Sequence, residues 1–250
     1  MARGDRLAVW SYSVRINKEK KIGPSFHAHT KFRRGQVQGV SGQGTAAFKV
    51  YANPLETVSL PVPDLVGGKG LWASLAASRE QISEGGILRQ PQASQILWAA
   101  AGFTVGRQRT HISATRVSTI ETYLVANNVE DMFSGIYHYN PREHTLEYVR
   151  GCDPSGPLGE ALLSKGEIEA NPAAVVFTGV PGRLEIGAKS RAYRYVYQEA
   201  GAAAQAAALA AGAIDLIATF EVAFYDDELS SLLQIDGVNE VPVCIVLLGT

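Results

Sequence analysis

His138 and His144 are the first side chains to consider for metal or acid–base chemistry, because they lie close together in the sequence. They flank a predicted turn that begins at Asn140-Pro141. A zinc site needs at least three protein ligands, and the sequence around this turn offers no third one. We therefore expect both histidines to be polar surface residues, and we predict no metal site.

The two cysteines, Cys152 and Cys244, are equally poor candidates for chemistry. They lie far apart, form no CxxC motif and have no neighbouring pattern that indicates an activated thiol. The sequence also lacks the GxSxG, P-loop, HExxH and GxGxxG motifs. On motifs alone the chain is a soluble α+β domain of unknown role, with two structural thiols in a reducing compartment.

Composition excludes several classes of partner. The 250 residues carry a net charge of −1 and are 46% hydrophobic, which is ordinary for a globular protein and lacks the positive excess of a nucleic-acid binder. The first residues show no secretory signal, so we expect a cytoplasmic protein. A basic cluster between Lys18 and Arg34 is interpreted as a solvated surface, with an anion site as the alternative.

The element best suited to position a flat ligand is an alanine-rich helix that begins near Tyr193. Nearly every residue between Ala200 and Ala213 is Ala or Gly, and Ala has the highest helix propensity. A helix with so few side chains lets other backbones or a planar ligand come very close. We predict a central, mostly buried helix, with an ordinary Ala-rich helix as the alternative. It is not a membrane span, because polar residues such as Glu199 and Gln205 interrupt the apolar run.

Hydrophobic periodicity predicts the elements around this helix. Residues 1–60 are interpreted as an N-terminal arm with a mobile loop at 35–45, and residues 61–250 as the main domain. Helices are predicted at 70–82, 87–103, 157–170 and 226–235. Strands are predicted at 119–126, 173–180, 216–224 and 241–249, with a hairpin over 134–151. This mixture predicts an α+β fold with a mixed or antiparallel sheet and helices on its faces.

Several stretches of the chain resemble the motifs of one known family. They are FHAHTKF at 26–32 with FKVY at 48–51 and SLPVP at 59–63, SQILWAAAGF at 94–103, the hairpin ETYLVANNVEDMFSGIYHYNPREHTLEYVRG at 121–151, RAYRYVYQEAG at 191–201, and AFYDDELSSLLQIDG at 223–237. The hairpin and the YRY…EAG stretch are the most specific. Over most of its length the chain is similar to the SagB-type dehydrogenases of the nitroreductase superfamily.

The resemblance implies a nitroreductase-like fold: a central, mostly antiparallel sheet wrapped by helices. It implies pairing as a homodimer, or as a heterodimer with a paralogue. It also implies FMN in a groove at the subunit interface, where the flavin carries the redox chemistry. The best-known members oxidise azoline rings in ribosomal peptides, so a modified peptide is the expected substrate, with another small molecule as the alternative.

By the same resemblance, five residues are expected at the cofactor. Ser78 and Arg79 stand in the motif that binds the FMN phosphate. Ser113 and Ala114 stand in the loop near the flavin, and Gln205 stands on the Ala-rich helix beside the ring or the ribityl chain.

Other positions depart from the family pattern. Glu80 ends the phosphate motif, Thr115 ends the flavin loop, Gly187-Ala188 replaces the Lys-Tyr pair implicated in azoline oxidation, and Ala202 and Ala206 replace a His and an Asn. An acid disfavours a phosphate, and the usual proton relay is absent. Two hypotheses stay open: an FMN-dependent oxidoreductase, and a catalytically degenerate member that acts as a structural or regulatory partner.

Overall fold

The computed structural model describes residues 22–34, 48–76, 86–113, 117–163, 171–184 and 189–250. By its contacts the chain divides into two units, Met1–Val37 and Gln38–Thr250. The described part of the first unit, residues 22–34, contains helix α1 (Ile22–His29). The predicted mobile loop at 35–45 lies outside the described residues, as do parts of the helices predicted at 70–82 and 157–170.

An antiparallel sheet forms the centre of the second unit, and it has seven strands within the part of the chain that the structure describes. The strands are β1 (Glu56–Ser59), β2 (Ile120–Ala126), β3 (Gly135–Asn140), β4 (Thr145–Gly151), β5 (Ala173–Gly179), β6 (Ile217–Glu221) and β7 (Val241–Gly249). Their order is β1-β4-β3-β2-β5-β7-β6, and every neighbouring pair is antiparallel. The predicted strands and hairpin are confirmed, and the sheet is antiparallel rather than mixed.

Helices cover both faces of this sheet. They are α2 (Leu71–Leu75), α3 (Gln90–Ala101), α4 (Ser155–Ala161), α5 (Ala192–Ala213) and α6 (Asp226–Leu233). Residues of α3 and α5 share one apolar core with the sheet, whereas residues of α4 and α6 share a second core. This arrangement confirms the predicted α+β class, with a central sheet wrapped by helices.

The alternation of side chains along β5 separates the two cores. Val175 and Phe177 belong to the core of α3 and α5, whereas Ala174 and Val176 belong to the core of α4 and α6. Successive residues of a strand point to opposite faces of a sheet. Because both faces are covered, β5 is buried along its whole length, as its continuous apolar run predicts.

Helix α5 approaches the sheet closely through its small residues. Ala200, Ala207 and Ala211 are fully buried and recur at helical spacing. At Gly179, the last residue of β5, an added Cβ would lie 2.3 Å from a methyl group of Val196. The predicted central Ala-rich helix is therefore confirmed. None of the helices in the described ranges is both long and apolar enough to cross a membrane.

Candidate functional site

Of the five residues predicted at the cofactor, the structure describes Ser113 and Gln205. Ser113 is exposed in the loop between α3 and β2, and Gln205 is exposed on α5. Ser78, Arg79 and Ala114 lie outside the described residues. The two described residues therefore belong to α5 and to a loop that is hydrogen-bonded to α5.

Glu199 on α5 makes those hydrogen bonds, and it binds both ends of the loop. Its Oε1 lies 3.1 Å from Nε2 of His111. Its Oε2 accepts from Thr119 twice, from the backbone N–H at 2.9 Å and from the hydroxyl at 2.5 Å. His111 donates from Nδ1 to the carbonyl oxygen of Ala100, 2.7 Å away in α3. One buried carboxylate thus fixes both ends of the segment that contains Ser113.

The environment of Glu199 keeps its carboxylate ionised. Burial alone would raise the pKa of Glu199, but the hydrogen bonds from His111 and Thr119 outweigh burial and hold the pKa below its usual value. Ionisation in turn strengthens the hydrogen bonds. Sequence reasoning treated Glu199 as a break in an apolar run and as part of the YRY…EAG stretch, and it assigned the residue no role of its own. A signal for its role was present, since a carboxylate beside a long run of Ala and Gly needs partners once the helix is buried.

The other face of α5 is flat and open in the single chain. Gly201 and Gln205 are exposed, and Ala202 and Ala206 are half-buried. A Cβ added to Gly201 would have no atom within 4 Å. Small side chains along this face leave the backbone within reach of a planar group. The described residues therefore fit a flat aromatic ligand, with the Gln205 amide available as both donor and acceptor.

The prediction that His138 is a polar surface residue is wrong. Its ring is fully buried between two carboxylates, with Nδ1 2.8 Å from Oε2 of Glu147 and Nε2 3.0 Å from Oε2 of Glu121. Arg183 adds a second cation beside Glu121. Burial alone would lower the pKa of His138, but the two carboxylates outweigh burial and raise it. His138 is a charged cross-link between β2, β3 and β4.

The same carboxylates bind the FKVY segment through its backbone. Glu121 accepts a hydrogen bond from the N–H of Lys49 at 2.6 Å, and Glu147 accepts one from the N–H of Tyr51 at 3.1 Å. The segment is therefore held on the sheet by side chains of β2 and β4. These acidic residues have a structural role that sequence reasoning missed, because their partners are distant in the chain.

The side chain of Lys49 belongs to a second polar cluster. Its Nζ lies 3.0 Å from Oε2 of Glu240 and donates to the hydroxyl of Tyr123 at 3.0 Å. The hydroxyls of Tyr123 and Thr178 donate to Oε1 of Glu240 at 2.8 Å and 2.7 Å. Burial alone would lower the pKa of Lys49, but Glu240 and Tyr51 outweigh burial and raise it. A lysine held protonated in this way is a structural tie and not a general base.

His144 is half-buried and not a surface group as predicted. Its Nδ1 lies 2.8 Å from the Tyr139 hydroxyl, and its Nε2 lies 3.0 Å from the carbonyl oxygen of Pro61 and 2.8 Å from the Ser94 hydroxyl. Burial lowers the pKa of His144, which favours a neutral ring that donates from Nε2. Among the residues described, no three His, Cys, Asp or Glu side chains are arranged to hold a metal ion.

The two thiols are in environments that suppress reactivity. Cys244 is buried and Cys152 is partly buried. Burial raises the pKa of Cys244 to about 12 and also raises the pKa of Cys152. Since the thiolate is the reactive form, both are structural thiols, as the sequence predicts.

The sequence model of the nitroreductase family matches residues 88–250, which is more than half of the chain. The chain belongs to the nitroreductase family. The matched range includes the hairpin, the loop bound by Glu199 and the whole of α5, but it does not reach Ser78 and Arg79.

One protein related in sequence and two solved structures are similar to this nitroreductase-family chain. A nitroreductase-family protein of Methanocaldococcus jannaschii is 27% identical over 197 residues, which cover 78% of this chain and 97% of the relative. A crystal structure of a nitroreductase-family protein from Ralstonia eutropha has a TM-score of 0.64 at 23% identity, over 85% of this chain and 95% of that one. A chain of the Escherichia coli microcin synthetase McbBCD complex has a TM-score of 0.60 at 20% identity, over 92% and 91%. These structural likenesses show the fold.

Proposed function

We propose that this chain is an FMN-dependent oxidoreductase of the SagB type. The observation that carries the proposal is the flat, exposed face of α5 inside the range that matches the nitroreductase family. A planar cofactor needs such a face, and the loop with Ser113 is bonded to the same helix by Glu199. The motifs at 121–151 and 191–201 support the SagB branch.

Residues of this chain would hold the cofactor at its two ends. Ser78 and Arg79 would bind the phosphate, where a guanidinium is well suited to an anion. Ser113, Ala114 and Gln205 would lie beside the ring or the ribityl chain. Bound FMN supplies a ring that accepts and donates a hydride, while the protein orients it.

We also propose that two copies, or this chain and a paralogue, pair across the surface formed by α2 and α5. Helix α2 packs on α5, and Trp72 in α2 is 79% exposed, with Val66 nearby in sequence 95% exposed. Large apolar side chains left open to water are candidates for an interaction surface. A partner subunit would cover these side chains and the open face of α5 together.

The proposed substrate is a modified peptide. The E. coli McbBCD structure, similar in fold, is a complex with truncated pro-MccB17 bound. The SagB-type motifs favour the same substrate class. Gly187-Ala188 replaces the usual Lys-Tyr pair, so a peptide reaction would need its proton relay from another group, and a different small molecule is the alternative.

The test is an absorbance spectrum of the purified protein, followed by titration with FMN monitored by flavin fluorescence. We expect flavin absorbance bands in the protein as isolated, or saturable uptake of added FMN. A colourless protein that takes up no FMN would contradict the proposal. That outcome would favour a degenerate family member that acts as a structural or regulatory partner.

A further inference from the structure

Arg109 carries a half-buried guanidinium that forms no ion pair within the described ranges of the chain. Its Nη1 donates to the carbonyl oxygen of Ala101 at 2.5 Å. Burial lowers the pKa of Arg109, and the more distant carboxylates of Glu121 and Glu199 offset burial only in part. Because a guanidinium stays charged in a protein, this burial carries a cost that an anion in direct contact would offset.

The loop that follows α3 holds this guanidinium in one orientation. Phe103 and Arg109 pair across the loop by an antiparallel bridge, and the Thr110 hydroxyl donates to the carbonyl oxygen of Trp98 at 2.8 Å. Cζ of Arg109 lies 4.6 Å from the centroid of the Phe103 ring, a cation–π contact that adds to the bond from Nη1. The group is therefore fixed before any ligand arrives.

The bond from Nη1 determines which edge of the guanidinium stays available. Nε and Nη2 of Arg109 have no acceptor among the residues that the structure describes, and neither is a fully enclosed atom. These two nitrogens present parallel N–H groups along one edge, and that edge matches the two oxygens of a planar carboxylate.

This edge belongs to a small cavity, which we call the Arg109 pocket. It lies between the end of α3, the start of β2 and the turn of the β3–β4 hairpin, and its space including the mouth is about 190 Å³. Thr122 on β2 also lines it and is 3% exposed. The Thr122 hydroxyl has no hydrogen-bond partner among the described residues and is not a fully enclosed atom, so it opens into the cavity. The pocket thus holds a fixed cation and a buried, unused hydroxyl.

Glu121 also lines the pocket, but its charge is already paired. Its Oε1 accepts from the backbone N–H of Lys49 and pairs with Arg183. Its Oε2 lies 3.0 Å from Nε2 of His138. Since donors occupy both oxygens, Glu121 leaves the free edge of Arg109 for another anion.

We infer that the Arg109 pocket binds a small carboxylate, whose oxygens accept from Nε and Nη2 of Arg109 and from the hydroxyl of Thr122. None of the five residues predicted at the cofactor lines this pocket, so carboxylate binding does not rest on the proposed function. The carboxylate comes either from a free small acid or from the end of a peptide chain.

The test is a titration of the full-length protein with sodium acetate, followed by saturation-transfer NMR at an ionic strength held constant with sodium chloride. We expect saturable binding to the wild type. Arg109→Gln should raise the acetate dissociation constant roughly a hundredfold, because two charge-assisted hydrogen bonds are lost. Thr122→Val, which keeps the shape of the side chain, should raise it roughly tenfold, and it decides the matter if Arg109→Gln does not fold.

Two matched variants control for charge and for buried hydroxyls. Arg107→Gln removes an exposed cation from the same loop, and Thr178→Val removes a buried hydroxyl that donates to Glu240. Both should bind acetate as the wild type does. A wild type that shows no saturable binding would overturn the inference, as would unchanged acetate affinity in Thr122→Val and in a folded Arg109→Gln. Inorganic phosphate that competes as strongly as acetate would overturn the choice of a planar carboxylate.

Competition with a short peptide identifies the source of the carboxylate. Acetyl-glycylglycine ends in a carboxylate, and its amide differs only in lacking that charge. Displacement of acetate by the acid but not by the amide supports a peptide end as the ligand, whereas displacement by neither supports a free small acid. Displacement by both would contradict recognition of a carboxylate. Since no flavin is needed in these titrations, a failure of FMN uptake leaves their outcome unaffected.

Discussion

Gln205 is the predicted cofactor residue best suited to substitution, because its side chain is exposed on α5 and can be shortened without opening the core. Gln205→Ala should raise the FMN dissociation constant roughly fivefold, as expected for one lost hydrogen bond, with little change in thermal stability. Glu228 is exposed on α6, which packs on the opposite face of the sheet, so Glu228→Ala is the control. Fluorescence titration of both variants measures the effect. Equal affinities in the two would remove Gln205 from the site.

At the residue scale, motif resemblance predicts Gln205 and Ser113 at the cofactor, and both assignments stay predictions. The structure adds that Ser113 is exposed in the loop between α3 and β2 and that Gln205 is exposed on α5. The partners of Glu199 could not be predicted, because they depend on how a loop folds back onto a helix. One partner of His138 could have been predicted from the hairpin alone. In the β3–β4 hairpin His138 lies directly opposite Glu147, and opposite charges in such a pair attract.

At the scale of elements, the hairpin and its neighbour β2 are joined by a cluster that should make stability depend on pH. The two carboxylates raise the pKa of His138 in the folded protein above its usual value of 6.5. A raised pKa means that folding favours proton binding, so this contribution to stability is complete below pH 6.5 and is lost as the pH rises through the raised pKa. The pKa values of Glu121 and Glu147 are lowered, so their contribution is complete above pH 4.5 and is lost on acidification.

The measurement is the free energy of unfolding in urea as a function of pH. We expect the wild-type value to fall as the pH rises above 6.5, by about 1.4 kcal/mol for each unit by which the pKa is raised. His138→Gln should lack this decline and be less stable at pH 6, by about 3 kcal/mol, because the buried Glu147 loses its cation and Glu121 keeps only Arg183. An unchanged pH profile in His138→Gln would contradict the charged cross-link.

His144 provides the control, because its pKa is shifted the other way. Burial lowers the pKa of His144, so its contribution is present above pH 6.5 and is lost as the pH falls. His144→Gln should therefore keep the decline above pH 6.5 that His138→Gln removes. A decline that disappears in both variants would mean that it comes from some other group.

The elements themselves were largely predictable, and their ends were less so. The strand predicted at 216–224 ends at Glu221, because the residues after it pair with the end of α4, where Leu162 bridges to Phe224. This contact joins residues that are far apart in sequence, and a local pattern carries no information about it. The same reason explains why the order of the strands was not predicted, although a mixed or antiparallel sheet was.

At the scale of the whole molecule, the exposed apolar side chains beside α5 have to be explained together with its open face. Val66 and Trp72 are among the most exposed large apolar residues of the described ranges. A single chain that left both the face and these side chains in water would lose the free energy of burying them. The proposed association through this surface would remove both costs, and it would also complete a groove for a planar cofactor between two subunits.

Trp72→Ser should therefore weaken self-association and FMN retention together. The dimer dissociation constant should rise at least roughly tenfold, because a buried tryptophan is typically an anchor of an interface. Sedimentation velocity over a concentration series measures the dissociation constant, and the flavin absorbance of the same samples measures loading. Val105→Ser is the control, since Val105 is 98% exposed in a different loop. If Trp72→Ser stays as dimeric as the wild type, the interface lies elsewhere. If it becomes monomeric but keeps its flavin, the groove is formed within one chain, and the open face of α5 holds the cofactor without a partner.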